Sequence, residues 1–515
     1  MEAHDIAVAA IAARTRQFYS SRTPYRVYHG STNSTRRSVR RLDNTVDTSK
    51  LNNILDIDRA KKTALVEPNV PMDALVAAAL EHRLVPPVVM EFPGITVGGG
   101  FSGTSGESSS FRYGAFDATI NWIEIVLPDG NVVTASKTNK PDLFWGAASA
   151  FGTLGVITLL EVQLKDARKY VELTYHHTSN MQEATAMLQT ETEVTTSNDY
   201  VDAITFSLDS TLVCTGHLTN EVPPNVSPQR FLRSIDPWFY VHAQRMQKRL
   251  RRNPGTTATD WIPLEDYLFR YDRGAFWTAR YAFRYFLTPF NRITRFILNP
   301  FMHTRVMYRA MHQSGLSDFY LVQDVGIPFD KVEEFTIWLD KNLGLYPLWL
   351  CPLHIRRISP DARHGLHSEF ADPDTPDLLS FGVWGPIAFD RREAVRKNKE
   401  LEQKVHELGG KKWLYAHAYY TEEEFWAHYD RKSYDALRAK YFATYLPSVY
   451  DKVKVDVDAE EEAINASWVT WLLAIFWAIW PMRGLFGVYK AIVGGDYLLQ
   501  RARSQALDAP KDKSA

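Results

Sequence analysis

The sequence predicts an α+β protein with two large domains, residues 1–170 and 171–460, followed by a hydrophobic C-terminal helical segment and a polar tail over 461–515. Three observations predict it. The 515 residues are 45% hydrophobic and 23% charged, a globular composition that excludes disordered, collagenous and coiled-coil chains. Strand-like and helix-like periodicities interleave through both large regions. A tryptophan-rich apolar run, residues 468–480, then stands apart from everything before it.

The elements follow in order. Residues 63–66 read as a strand, 73–83 as an alanine-rich helix, and Val88-Val89 after Pro86-Pro87 as a second strand, a β-α-β pattern. A Gly/Ser loop leads to a hairpin, 120–127 with 131–134, turned by Pro128-Asp129-Gly130 because glycine tolerates positive φ. Residues 142–150 form a helix and 155–164 a closing strand. The second region has strands at 170–175, 320–325 and 414–420, with amphipathic helices at 331–343 and 391–408.

Lys and Arg number 59 against 60 Asp and Glu, so no global field draws nucleic acid, and none is expected as a partner. Cys214 and Cys351 are the only cysteines and form no C-x-x-C, which predicts a reducing compartment. His176-His177 and the pair His364 and His367 lack further ligands at suitable spacing, so no metal site is expected. The first thirty residues lack a secretory signal, and no stretch reaches 18 uninterrupted apolar residues.

One local patch departs from this neutrality. Residues 273–317 hold seven arginines, ten aromatics and no acid. Such a segment suits an anionic bilayer surface, with arginines on headgroups and rings in the interface, although a core helix pair with snorkelling arginines has the same composition. Residues 468–480 would make a helix of about 20 Å, too short for a ~30 Å hydrocarbon core, so an interfacial or re-entrant anchor is expected. Self-association is its alternative use.

Gly98, Gly100 and Gly103 satisfy G-x-G-x-x-G, the fingerprint of parallel-sheet dinucleotide folds. The residues that follow, 104–110, are small and polar instead of opening an apolar helix, and Glu124 sits inside an apolar run and not at a strand end. A loop rich in glycine and hydroxyls can instead surround a pyrophosphate with main-chain N–H groups. A second such segment runs from Gly30 to Arg36, and two loops could grip one dinucleotide; composition alone also allows both to be surface turns.

Taken with their order along the chain, the stretches VEPNVPMDAL, TVGGGFSGTSGESSSFRYGAF, DLFWGAASAFGTLGVIT, KYVEL, VQDVGIPF, YPLWLCPL and LYAHAYYTEEEFW resemble the FAD-binding module of the vanillyl-alcohol-oxidase superfamily and, within it, the Delta(24)-sterol reductase family. GESSSFRYG and YPLWLCP are the distinctive ones. The resemblance implies a PCMH-type FAD-binding domain, a substrate (cap) domain, and NADPH-driven reduction of a side-chain double bond in a sterol or related triterpenoid. It implies that Gly30, Ser31, Thr32, Asn33 and Ser34 hold the pyrophosphate. It further implies that Thr96, Val97, Gly98, Gly99, Gly100, Gly103, Thr104, Ser105, Gly106, Ser108, Ser109 and Ser110 line phosphate and flavin, with Tyr113 and Gly114 completing the loop. Asp142, Gly155, Val156 and Ile157 would flank the adenosine side. His29 precedes Gly30 instead of following two glycines, so FAD is expected to be non-covalent. The cytosolic face of the endoplasmic reticulum membrane is the expected location, with the cytoplasm as alternative. Two other functions stay open: an FAD-linked oxidase passing electrons from an alcohol to dioxygen, and a lipid-binding scaffold that keeps flavin as structure.

The implied alkene is unactivated. Hydride delivery must be coupled to protonation of the other carbon, so the site needs a positioned acid in a dry cavity with aromatic walls. Read as a strand, 414–420 puts Tyr415, His417 and Tyr419 on one face. Asp324, after the apolar run 320–322, is the further candidate.

Overall fold

The computed structural model describes residues 1–30 and 43–498. The expected pyrophosphate residues Ser31, Thr32, Asn33 and Ser34, and the polar tail, lie outside the described residues.

The N-terminal region is built on a five-stranded sheet in the order Ile54–Asp58, Thr63–Val66, Val156–Gln163, Ile120–Val126, Val132–Ser136, with every pairing antiparallel. A doubly wound parallel sheet is thereby excluded, as the residues after Gly103 predict. The hairpin closes through Gly130 at φ +87°. The β-α-β expectation is half met. Helix Met72–Glu81 forms and buries Met72, Leu75, Val76 and Ala79 on one stripe, each aliphatic worth ~1.5–3 kcal/mol. The strand after it is Leu84–Val85, which pairs with Lys165–Asp166 in a separate ribbon, while Val88 and Val89 are buried in irregular chain that Pro86 and Pro87 keep out of a ladder. Helix Glu2–Ser20, for which the sequence reading gives no element, lies on the sheet through Val8, Ile11 and Phe18, with His4 Nδ1 2.8 Å from Glu67.

The second region carries an eight-stranded antiparallel sheet: Thr257–Pro263, Tyr170–Thr178, Ser210–Thr219, Tyr200–Ser207, Leu348–Leu353, Leu378–Pro386, Tyr320–Pro328, Lys411–Lys412. Its two faces are divided by strand alternation. Leu348 and Leu350, with Leu321, Val325 and Ile327, meet helices Met181–Glu191, Val332–Asn342 and Arg391–Glu407. Trp349, Cys351 and Leu353 belong instead to the core shared with the first region, and Val322 and Asp324 face a cavity there.

The division at residue 170 is crossed by returning chain. Helix Arg431–Lys440 and the residues after it pack on the first region: Lys440 Nζ reaches Asp142 at 2.6 Å, Tyr434 OH pairs with Thr153 Oγ1 at 2.8 Å, and Tyr445 OH donates to the Pro128 carbonyl at 2.8 Å.

The basic-aromatic segment forms helices Ala279–Tyr285, Arg292–Ile297 and Thr304–Ser314; Phe276 and Trp277 before the first helix and Phe283 within it are buried in the core, and Arg273 is buried on Asn299 and the Phe231 carbonyl. Much of its aromatic content is therefore structural. Leu287, Ile293, Phe296 and Ile297 remain exposed. Against this segment docks a C-terminal helix pair, Trp468–Ala478 and Met482–Gly494, bent by 90° at the break. Among the described residues no single helix is long and apolar enough to cross a membrane. The apolar run is thus one arm of a bent pair that exposes Trp468, Trp471, Ile475, Trp480, Tyr489 and Val493.

Candidate functional site: an acid-lined cavity between the two sheets

A cavity of about 320 Å³ opens between the first region and the eight-stranded sheet. Its first-region walls are short polar or glycine-rich strips: the ribbon Arg26–Tyr28 with His29, the segment from Thr96 to Gly106, and Gly152 with Gly155, Val156 and Ile157. The glycine segment is not all loop. Thr96 caps a helix, Val97–Gly103, by accepting from Gly99 N, and Thr104 closes it in the left-handed conformation at φ +48°. The glycines serve mainly protein packing. A Cβ on Gly98 would stand 2.7 Å from Pro68 Cβ and 3.0 Å from its carbonyl, and one on Gly106 2.6 Å from Leu353 Cδ2. Gly99 alone in this run faces only the Thr96 hydroxyl, at 3.0 Å.

Thr96, Gly98, Gly99, Ser105, Gly106, Gly155, Val156 and Ile157 line the cavity, and Val97, Gly100, Gly103 and Thr104 pack behind them. The serine triplet does not reach it. Ser108 Oγ donates to Glu107, Ser109 Oγ donates to the Pro87 carbonyl, and Ser110 Oγ accepts from Glu107 N, all buried. Tyr113 OH meets Lys165 at 3.3 Å, and Gly114 turns the chain at φ +76° beside Ala118. Asp142 is not among the cavity-lining residues and is bonded by Lys440 and Tyr441. Gly30 turns at φ +76° against Ser49, next to His29 at the cavity wall.

The rest of the lining carries two acids, Asp324 on the eight-stranded sheet and Glu91 from the first region, with aromatic rings around them. Asp324 is buried, accepts a 2.7 Å hydrogen bond at Oδ2 from Tyr415 OH, and has its Oδ1 buried without a described partner. Burial raises its pKa from 3.8 to about 7, against the smaller opposite pull of the Tyr415 hydroxyl. Gly382 stands across the ladder, where a Cβ would come within 3.1 Å of Oδ1. Glu91, also on the wall, is raised well above the carboxylate range by burial and then by the Glu107 carboxyl. Around these acids Trp349 and Trp384 flank Phe276 at centroid distances of 5.2 and 4.5 Å, and Phe92 meets Trp384 and Tyr308. Trp349 is fixed by its Nε1–H on Asp202, a carboxylate shared with buried Arg270 and Tyr271.

The expected row of Tyr415, His417 and Tyr419 does not form. Residues 413–417 turn where the period-two pattern predicts a strand, and only Ala418 makes a bridge, to Lys454. The turn is held from within: buried Lys412 pairs with Glu402 and with the His417 carbonyl, and Tyr419 N donates to Glu402 at 2.9 Å. Trp413 Nε1–H reaches the Thr104 carbonyl at 2.8 Å, which sets Tyr415 against Asp324. His417 and Tyr419 lie off the cavity. Glu91 escaped the sequence reading, although a lone acid after Val88-Val89-Met90 and before Phe92-Pro93 was its signal.

The residues fit a flavin dinucleotide: two glycine-rich strips and a third of Arg26 to His29 at one side, rings and an orphaned buried carboxyl oxygen at the other. Comparison with known proteins agrees. Residues 7–136 match the FAD binding domain family. The chain is 30% identical to Delta(24)-sterol reductase of Macaca fascicularis over 420 residues, 78% of this chain and 76% of that one. It is 29% identical to the Homo sapiens enzyme of the same name over the same length and shares, and 28% identical to that of Pisum sativum over 457 residues, 82% and 78% of the two chains. With an FAD-binding domain at one wall of the cavity and likeness running through the domain that builds the other, the chain belongs to the Delta(24)-sterol reductase family.

Proposed function

We propose that the protein is an FAD-dependent oxidoreductase that saturates a side-chain carbon–carbon double bond of a sterol or related triterpenoid, with NADPH as electron donor. The observation that carries the reading is Asp324: a buried carboxyl, half protonated near pH 7, between a glycine-lined cradle and an aromatic wall. The Thr96–Gly106 and Gly152–Ile157 strips would hold FAD, which when bound and reduced by NADPH would supply hydride chemistry at one alkene carbon. The proton for the other carbon comes from Asp324, whose buried carboxyl stands at the cavity wall. Tyr415 OH keeps Oδ2 oriented and supports the carboxylate left behind. The faces of Trp349, Trp384 and Tyr308 stabilise positive character at the more substituted carbon and exclude water. The sum adds two hydrogens across the bond while NADPH becomes NADP⁺.

The test is incubation of purified, FAD-loaded protein with NADPH and a panel of unsaturated sterols, read by mass spectrometry for a gain of two hydrogens. Flavin that bleaches with an alcohol and not with NADPH, and no sterol product, would favour the oxidase instead. FAD is non-covalent in this reading, although His29 lines the cavity; acid precipitation should leave the flavin in the supernatant.

Attachment to the cytosolic surface of the endoplasmic reticulum membrane belongs to the same proposal. Its support is the apolar outer surface of the bent helix pair, together with exposed Phe296, Ile297, Arg284 and Arg292 in the basic-aromatic segment. Deleting residues 468–499 should release the folded protein from membranes in detergent-free fractionation; unchanged pelleting would refute the anchor.

A further inference from the structure

Beside the cofactor cavity lies a second one of about 520 Å³, walled by the helices Ala279–Tyr285, Thr304–Ser314 and Met482–Gly494. The two cavities share Phe92, Tyr308, Val322 and Trp384, so these side chains form a neck between them. Beyond the neck the lining is nearly all carbon, with Met302, Met307 and Met311 among its walls and no Asp, Glu, Lys, Arg or His. Such a space is unfavourable for water and lies within the usual volume of a ligand pocket. Its outer wall is purpose-fitted: Gly484 admits the Tyr285 ring, since a Cβ there would be 2.3 Å from Cε1, and Gly487 lies against the Ala310 carbonyl. The same helix shows Tyr489 and Val493 to the outside.

We infer that this second cavity holds the ring nucleus of the sterol, which enters side chain first, so that only the slender tail passes the neck and brings its double bond to Asp324. This rests on the reading above, in which Asp324 is the proton donor. The orientation follows from shape and chemistry together. The acid and the cradle lie on one side of a neck of rings, and the large apolar volume lies on the other. A bulky fused-ring body fills the second cavity, and its flexible methylenes span the constriction. Methionines, being adaptable, suit a rigid apolar body of fixed outline. With the Met482–Gly494 helix as a wall and its outer face apolar, a bilayer-dissolved ligand reaches the cavity from the lipid side.

A sterol carrying a diazirine on its ring nucleus and an intact side-chain alkene, irradiated with the full-length holoenzyme, should place its adducts within 304–314 or 482–494. Adducts confined to 90–106, or none at all while the same compound is reduced, would overturn the assignment. Ala282→Phe, which fills the second cavity, should lower kcat/KM for the intact sterol by at least about tenfold. It should leave turnover of a short branched alkene without a ring nucleus, and flavin bleaching by NADPH, as in the wild type. An equal fall for both alkenes, or no fall for the sterol, counts against the proposal. Ring adducts in the helices from a protein that reduces no sterol would instead remove the proposed reaction and leave the binding site standing.

Discussion

The two walls of the cofactor cavity are made of different materials. The first-region wall consists of main chain and small side chains, with glycines at Gly98, Gly106 and Gly155 that let backbone run close to Pro68, Leu353 and the Val126 carbonyl. The opposite wall concentrates chemistry in one titrating carboxyl, one hydroxyl and a shell of rings fixed through Asp202 and Arg270. Holding a dinucleotide thus depends on sterics that have no pH dependence, whereas moving a proton depends on an electrostatic environment set by burial.

That contrast is broken most severely at Asp324. Asp324→Asn should cut the reductive turnover by about 10²–10⁴ while FAD stays bound, measured by sterol reduction and flavin absorbance. The pH profile gives the sign. Because the folded-state pKa is raised to about 7, the donor is protonated below that value, and wild-type turnover should fall about tenfold per unit above it. The variant should lack this limb. On the other wall, Gly98→Ala should cost about 1–3 kcal/mol of stability, since neither the Pro68 ring nor its carbonyl can withdraw. A lower Tm and reduced FAD content should appear with no change in the limb. Loss of FAD from Asp324→Asn, or a moved limb in Gly98→Ala, would show that the walls are not separable. A finer probe is Tyr415→Phe. Its hydroxyl favours the charged carboxylate, so removing it should move the limb upward, by about one pH unit. Smallest is His417→Ala, which should alter turnover less than about twofold because the side chain is off the cavity.

The same contrast explains what could be read from the sequence. Small-residue wall strips announce themselves by composition, and Thr96, Gly98, Gly99, Gly106 and Gly155 to Ile157 all line the cavity. Ser108 to Ser110 look identical in composition but turn inward: Ser108 donates to the buried Glu107 carboxylate, Ser109 donates to the Pro87 carbonyl, and Ser110 Oγ accepts from Glu107 N. Asp324 was legible as a candidate; its partner was not legible as a pair. The turn at 413–417 overrides a period-two pattern because Lys412, Glu402 and Trp413 make long-range contacts that no local pattern encodes. Likewise the neck of Phe92, Tyr308 and Trp384 comes from three distant segments, and the arginine-rich stretch hid core aromatics among interfacial ones.

The chain that returns to the first region has a consequence for synthesis. Leu437, Tyr441, Ala443 and Leu446 belong to the core shared with the first region, and Tyr434 meets Thr153 across a sequence separation of 281. The lobe translated first thus leaves the ribosome missing part of its own interior, which arrives only when the other lobe is nearly finished. The two lobes should therefore melt as one cooperative unit, and an isolated 1–170 fragment should fail to accumulate as a soluble flavoprotein.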